Sequence, residues 1–407
     1  MHHEQLDVTD GVDTHGDNHV AAVVDSAGRI LGTETFPADL ASYRRLLAWM
    51  RRHGHLERVG IEGTGAYGAG LARHLASEGV EVVEVNRPNR QTRRRRGKSD
   101  TTDAEAAARA ALNGEADGRP KAADGAVEAL RALRVARRSA LKARTQAGNQ
   151  IRDLIVTAPD ELRSRLRGCG TDARVEICAG FRPGPAADPG EATKRSLRCL
   201  ARRHRDLSAE IDELDEAIAA LCAQVNPALL GARGVGAEVA SALLVAAGDN
   251  PERLRSEASF AALCGSSPVE ASSGKITRHR LNRGGNREAN NALWRIVMVR
   301  LTCDPATQAY AARRRSEGKT DREIMRCLKR YVAREIFRLI IAPPAVPAGA
   351  ELRAARTAAG ISLASAAEAL GTWPTRISQL ERGLEHSTEL ATRYQLWLSG
   401  RSRPHAA

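Results

Sequence analysis

The sequence predicts an α/β domain followed by an all-α remainder, and three patterns carry that prediction. Residues 6–36 alternate apolar and polar side chains in three short runs separated by turn residues. From there to residue 85, helical and strand periodicities take turns. Two long later stretches then place their apolar residues at spacings of three, four or seven.

The three opening strands are expected at 8–14, 19–25 and 29–36, broken by His15-Gly16-Asp17-Asn18 and Ser26-Ala27-Gly28. An amphipathic helix with Leu40, Tyr43, Leu47 and Met50 on one face follows. A strand (58–62), a helix (69–78) and a strand (80–85) complete a mixed rather than purely parallel sheet. Ribonuclease-H-like and actin-like folds both open in this way. Residues 125–157 form a long helical pattern through Leu130, Leu133, Ala136, Ala140, Ala147, Ile151 and Leu154. A second pattern runs through Leu200, Leu207, Ile211, Leu214, Ile218, Leu221 and Val225, and the Gly/Pro-rich stretch 168–190 is expected to let the two pair as a coiled-coil hairpin. The first helix is basic (Arg131, Arg134, Arg137, Arg138, Lys142, Arg144) and the second acidic (Glu210, Asp212, Glu213, Asp215, Glu216), so the two are expected to pair by charge. A basic face tracking nucleic acid is the alternative. A third helical region begins near Ala228, Pro343-Pro344 and Pro347 form a linker, and 349–400 read as a small helical unit. The expected domains are therefore 1–120, 121–227, 228–342 and 349–400.

Composition narrows the partners. Among 407 residues, 62 Lys and Arg face 49 Asp and Glu, a net charge of +13 that favours polyanions, nucleic acid first. No apolar run approaches the roughly 20 residues that span a bilayer. Met1-His2-His3-Glu4 carries no apolar signal core, and the seven cysteines include no Cys-x-x-Cys pair. A reduced, cytoplasmic, nucleoid-associated protein is expected. Aromatics are only 3% of residues, so base stacking is not expected to be the main grip on nucleic acid.

Two constellations carry chemistry. Asp13 lies in the first strand, Glu62 ends the fourth, and Asp100 and Asp103 open an alanine-rich helix after the basic run Arg93 to Arg96. A spacing of three puts Asp100 and Asp103 on one helix face. Four clustered carboxylates repel unless hard cations lie between them, and Mg²⁺ prefers such ligands. Singly, Asp13 could cap a turn and Asp100 could be a helix N-cap; the set favours the metal. The second constellation is Ser272-Ser273-Gly274-Lys275, followed by Arg278, His279, Arg280, Arg283 and Arg287. A serine hydroxyl amid fixed positive charge suits attack on a phosphodiester. Gly274-Lys275 does not make a nucleotide-binding P-loop, because Val269 stands where its first glycine belongs. Gly234-Val235-Gly236 fits a helix-hairpin-helix phosphate grip or a plain helix–helix turn equally well.

Gly11-Val12-Asp13-Thr14-His15, Gly60-Ile61-Glu62-Gly63-Thr64-Gly65 and Lys98-Ser99-Asp100-Thr101-Thr102-Asp103-Ala104 resemble the DEDD motifs of the IS110 family of insertion-sequence transposases, which includes the Piv/MooV-type invertases. Gly234-Val235-Gly236, Phe260-Ala261-Ala262-Leu263-Cys264-Gly265, Pro268, Ser272-Ser273-Gly274-Lys275 and Arg283-Gly284-Gly285-Asn286 resemble the C-terminal transposase domain of that family, in order. The resemblance covers about residues 6–340. It implies a ribonuclease-H/RuvC-like domain in which Asp13, Glu62, Asp100 and Asp103 hold Mg²⁺, and a serine that forms a covalent phosphoserine–DNA intermediate. By the motif that serine is Ser273, directly before glycine, with Ser272 as the fallback. Lys275, Arg278, Arg280, Arg283 and Arg287 are the expected DNA contacts. The resemblance further implies a guide RNA from the element and a homo-oligomer. Family members often have a second glycine where this chain has Lys275.

Ala359-Gly360-Ile361-Ser362 and Ile377-Ser378-Gln379-Leu380-Glu381-Arg382-Gly383 resemble a Cro/repressor-type helix-turn-helix, which would present Thr375, Arg376 and Gln379 to the major groove. Two other functions compete with the transposase. A non-catalytic DNA-binding regulator would have lost the carboxylates and the serine. An actin-like ATPase or sugar kinase would need glycine-rich phosphate loops around Asp13, and none is present.

Overall fold

A computed structural model describes residues 6–85 and 99–401. The chain divides into two units: one runs to Gly125 and takes in Ala247–Ser256, the other comprises Ala126–Ala246 and the chain from Glu257 onward.

The first unit is built on a five-stranded mixed sheet. Strands β1 (Asp7–Thr14), β2 (Asn18–Asp25) and β3 (Ile30–Pro37) run antiparallel, and β4 (His55–Glu62) and β5 (Glu81–Val85) add in parallel, giving the order β3-β2-β1-β4-β5. This order is compatible with a ribonuclease-H-like fold. Helices α1 (Leu40–Arg52) and α2 (Ala69–Ser77) cover one face, and α3 (Asp100–Leu112) the other. Asp39 starts α1 by accepting from the Ser42 amide at 2.8 Å. Tyr43, Leu46, Leu47 and Met50 bury its inner face, whereas Leu40, expected there, is exposed.

The approach of α3 to the sheet depends on two glycines. A Cβ at Gly11 would lie on the Ala108 amide nitrogen and the Ala104 carbonyl oxygen, and 2.7 Å from the Ala107 carbonyl carbon. One at Gly60 would lie 2.7 Å from the Ala107 carbonyl oxygen. The helix answers with small side chains, burying Ala104, Ala107, Ala108 and Ala111. Glycine on two adjacent strands and alanine on the helix therefore bring backbone against backbone.

The opposite face of β1 buries Val8, Asp10 and Val12. Asp10 is fully buried and neither carboxyl oxygen has a hydrogen-bond partner, so burial holds its pKa well above the ordinary carboxylate value. A raised folded-state pKa means that stability present below the unfolded value, about 3.8, is lost as pH rises through the folded one. Asp10→Asn, which cannot ionise, is expected to match the wild type near pH 4. It should exceed it at pH 8 by on the order of 1–3 kcal/mol. Thermal melts across that range check this; a stability difference that does not grow with pH would contradict a buried neutral acid.

The second unit is helical apart from one hairpin. Helices α4 (Ala126–Thr157) and α7 (Pro189–Val225) pair along their length, burying Leu130, Ala140, Ala147 and Ile151 against Leu197, Ala201, Ile211 and Ile218. The second helix starts earlier than its apolar pattern suggests, because Asp188 caps it at the Glu191 amide and Pro189 occupies the first turn. The stretch expected as a loop (168–190) is also partly helical. Helices α5 (Asp160–Arg167) and α6 (Thr171–Ala179) fold Leu162, Leu166, Val175 and Cys178 onto the end of the α4–α7 pair.

The expected charge pairing of these two helices is corrected in its partners. Among the described residues, Arg137 is the one cation of α4 that pairs with an acid of α7, Asp215. Helices α8 (Pro227–Leu230), α9 (Ala237–Ala247), α10 (Glu257–Leu263) and α11 (Arg287–Cys303) follow. Arg134 pairs with Glu238 of α9 (3.5 Å) and Glu288 of α11 (3.1 Å), Arg137 with Glu238 (2.9 Å), and Arg138 with Glu288. Arg134, Arg137 and Arg138 are thus met by acids far away in sequence, whereas Arg131 pairs locally with Glu128. Gly234 turns the chain into α9 with φ +80°, and a Cβ there would lie 3.2 Å from the Ile296 carbonyl oxygen. Helices α12 (Pro305–Ser316) and α13 (Asp321–Ile341) complete this region.

Four short helices end the described chain: α14 (Gly349–Ala358), α15 (Leu363–Leu370), α16 (Pro374–Glu381) and α17 (Thr388–Arg401). Their core is closed by a buried polar triad in which Arg356 and Tyr394 both donate to Glu381, at 2.6 and 2.8 Å. Gly371, with φ +63°, makes the turn between α15 and α16. No helix among the described residues is long and apolar enough to cross a membrane.

Candidate active site

The carboxylates gather where β1 and β4 end and α3 begins. Parallel register sets Val12 beside Ile61, so Asp13 and Glu62 follow on neighbouring strands. The Thr14 hydroxyl donates to the Glu62 carbonyl at 2.7 Å and ties the two strand ends together. The side chain of Ser99, not of Asp100, caps α3 by accepting from the Thr102 amide at 3.2 Å. That relieves Asp100 of a capping role. Asp13 (7% exposed) and Asp103 (4%) are buried, whereas the Asp100 side chain is 55% exposed.

His15 was not singled out from the sequence, yet it stands at the centre. Its Nε2 lies 3.2 Å from Asp13 Oδ2 and 3.4 Å from Asp100 Oδ1. Ligand atoms of Asp13, His15 and Asp100 lie within 4.8 Å of one another, a group that could hold a metal ion. Alternation along an extended strand, which sets residues 13 and 15 on one side, is the signal that could have found it. Burial raises the Asp13 carboxyl above its ordinary pKa; His15 opposes this, while Asp103 and Asp100 add to it. Carboxylate oxygens dominate the donor set, so a hard divalent cation fits it and would neutralise the crowding. The half-buried Glu62 side chain stands outside the Asp13–His15–Asp100 group. The basic run Arg93 to Arg96 and Lys98 lie outside the described residues.

The serine motif forms a β-hairpin in the second unit. Strand β6 (Val269–Glu270) pairs with β7 (His279–Arg280), and the pairing extends to Ser273, whose amide and carbonyl both bond Ile276 at 3.1 Å. Gly274 and Lys275 are thus the two turn residues. Gly274 has φ +57°, and Lys275 is not in the positive-φ region. This is the pattern of a II′ turn, which requires glycine first and accepts other residues second. Lys275 is thereby accommodated as the second turn residue. Ser272 accepts from the Arg278 amide at 3.1 Å, whereas the Ser273 hydroxyl has no hydrogen bond among the described residues. Register places Ser273 on the same hairpin face as Ala271, Arg278 and Arg280.

Those three residues line a cleft of about 1440 Å³, together with Arg283 and residues of α11, α12 and α13. Lys275 is exposed at the turn. Arg287 lies elsewhere, at the start of α11 beside Glu288 and the α4 arginines. In the C-terminal helices, Thr375, Arg376 and Gln379 are exposed on α16, and Arg376 pairs with Glu385 at 3.2 Å.

Comparison with known proteins finds two family models that match the chain. A family model for DEDD transposases of the IS110 type, described as a transposase, matches residues 11–158. A second, described as transposase of the IS116/IS110/IS902 family, matches residues 226–312. The chain belongs to the IS110 transposase family. The first match contains Asp13, Glu62, Asp100 and Asp103, and the second contains the whole serine hairpin. An IS110 relative, the insertion element IS110 uncharacterized 43.6 kDa protein of Streptomyces coelicolor, is 32% identical over 164 residues. That match spans 39% of this chain and 39% of the relative. Helix α13 and the four C-terminal helices lie beyond the residues that the IS110 family models match.

Proposed function

We propose that the protein is the DNA transposase of an insertion sequence, cutting and rejoining DNA through Mg²⁺ held by Asp13, Glu62, Asp100 and Asp103 and through a covalent Ser273–DNA intermediate. The observation that carries this reading is the convergence of Asp13, Asp100 and His15 within 4.8 Å at the ends of β1 and α3, with Asp103 buried beside them. Bound there, Mg²⁺ would stabilise the charge that develops on a reacting phosphodiester. The protein's part is to orient the carboxylates, with His15 holding Asp13 and Asp100 together. The free hydroxyl of Ser273 supports its assignment as nucleophile over Ser272, which is engaged with the hairpin backbone.

In the reaction, Ser273 Oγ bonds to phosphorus and a deoxyribose oxygen leaves with a proton. The number of phosphoester bonds is unchanged, so a strand hydroxyl can later displace the serine and reseal DNA without an external energy source. Lys275, Arg278, Arg280 and Arg283 would hold the phosphates around the scissile bond. Arg287 contributes from its separate position, and Arg376 and Gln379 would read DNA from a helix-turn-helix formed by α15 and α16. A guide RNA from the element and a homo-oligomer complete the proposal, and cytoplasmic, nucleoid-associated localisation follows from DNA as substrate.

Incubation with Mg²⁺, the element's RNA and element-end DNA is expected to yield a covalent protein–DNA adduct on a denaturing gel. Ser273→Ala should abolish it and Ser272→Ala should spare it. The reverse result would move the nucleophile to Ser272, and an adduct surviving both changes would end the serine mechanism.

A further inference from the structure

The cleft beside the Ser273 face of the hairpin has a composition that phosphate binding alone does not require. Nine arginines and one lysine line it against a single carboxylate, Asp321, which is itself paired with Arg315 at 2.8 Å. Among the described residues Arg278, Arg280, Arg283, Arg322 and Arg326 have no acidic partner within 4.0 Å. Between these cations stand aromatic rings. Trp294 of α11 is 43% exposed and Tyr331 of α13 is 55% exposed, although the chain has only four tryptophans and five tyrosines. Tyr331 is braced edge-on by Tyr310 (5.6 Å between centroids), and Tyr310 is covered in turn by the Arg313 guanidinium at 5.4 Å.

We infer that this cleft binds single-stranded DNA next to the scissile phosphate, with Trp294 and Tyr331 as stacking platforms for unpaired bases and Arg322 and Arg326 as contacts to its phosphates. The inference rests on the recombination reading above, because exchanging strands between duplexes leaves unpaired nucleotides beside the cut. Three considerations select this occupant. The excess of unpaired cations calls for a polyanion. Exposed aromatic faces inside a basic groove suit bases whose own faces are free. A duplex hides those faces in its stack, so it could satisfy the arginines but not the rings.

The test compares binding of a short fluorescent oligodeoxynucleotide, single-stranded or annealed to its complement, by the full chain and its variants. Trp294→Leu and Tyr331→Leu are each expected to weaken single-strand binding about tenfold, while duplex binding changes less than about twofold. Trp294→Phe and Tyr331→Phe should retain most of the affinity, which separates ring stacking from a structural role. Thermal melts should be unchanged in all four, since both side chains are exposed. Unchanged single-strand affinity in the leucine variants, or equal losses on single strand and duplex, would overturn the inference. Tighter binding of the matching oligoribonucleotide would also overturn it, assigning the cleft to RNA. An adduct that survives both Ser273→Ala and Ser272→Ala would end the serine mechanism alone, because the binding comparison is read without cleavage.

Discussion

Replacing Asp13 by asparagine is expected to lower DNA cleavage by roughly a thousandfold or more while leaving the fold intact. The side chain keeps its shape and loses the charge that would bind the cation. In the absence of metal the change should even be favourable to the fold. Asp13 is buried, and Asp103 and Asp100 already oppose its ionisation. The variant should therefore melt at or above the wild-type temperature without Mg²⁺. Added Mg²⁺ should then raise the Tm of the wild type and not that of the variant, because only a bound ligand stabilises the folded state. Full cleavage by Asp13→Asn, or an equal response of both proteins to Mg²⁺, would sink the metal assignment.

Gly11→Ala is expected to do the opposite, removing the fold along with activity. The added methyl would meet backbone atoms of Ala104 and Ala108, which cannot swing aside as a flexible side chain would. Helix α3 must then lift from β1, opening the alanine interface and carrying Asp100 and Asp103 away from Asp13. A cost of about 4 kcal/mol or more is expected, a large share of the roughly 5–15 kcal/mol that holds a domain together. Gly60→Ala should cost less, since its nearest atom is the Ala107 carbonyl oxygen at 2.7 Å. Thermal denaturation followed by circular dichroism measures both; a Gly11→Ala protein with wild-type Tm would show that α3 does not depend on this close approach.

Much of this arrangement could be read from the sequence because it is written at short range. Alternation fixes β1 to β3, and each glycine stands two residues before a carboxylate, at Gly11 and Asp13 and again at Gly60 and Glu62. Period two puts glycine and acid on one face, so the residues that admit α3 also aim the acids at its N-terminus. What escaped was written at long range or masked by composition. The acids that neutralise Arg134 lie at Glu238 and Glu288, more than 100 residues away. Helices α5 and α6 were hidden by the glycines and prolines around them, although Leu162, Leu166, Val175 and Cys178 supply a buried face. The aromatic content was too small to suggest base stacking, but the cleft gathers Trp294, Tyr310 and Tyr331 from three helices. Composition counts residues and does not locate them.

The segment Ala247–Ser256 belongs to the first unit although half of the second precedes it in the chain. The Asn250 side chain accepts from the Ala122 amide and donates to the Pro120 carbonyl, both at 3.0 Å, and Arg255 holds Asp117 at 2.6 Å. On the ribosome, then, the carboxylate-bearing unit waits for its last piece until the long helical pair has already been made. A fragment cut at Gly125 would carry every acid of the site and still lack the strap that fastens its final residues.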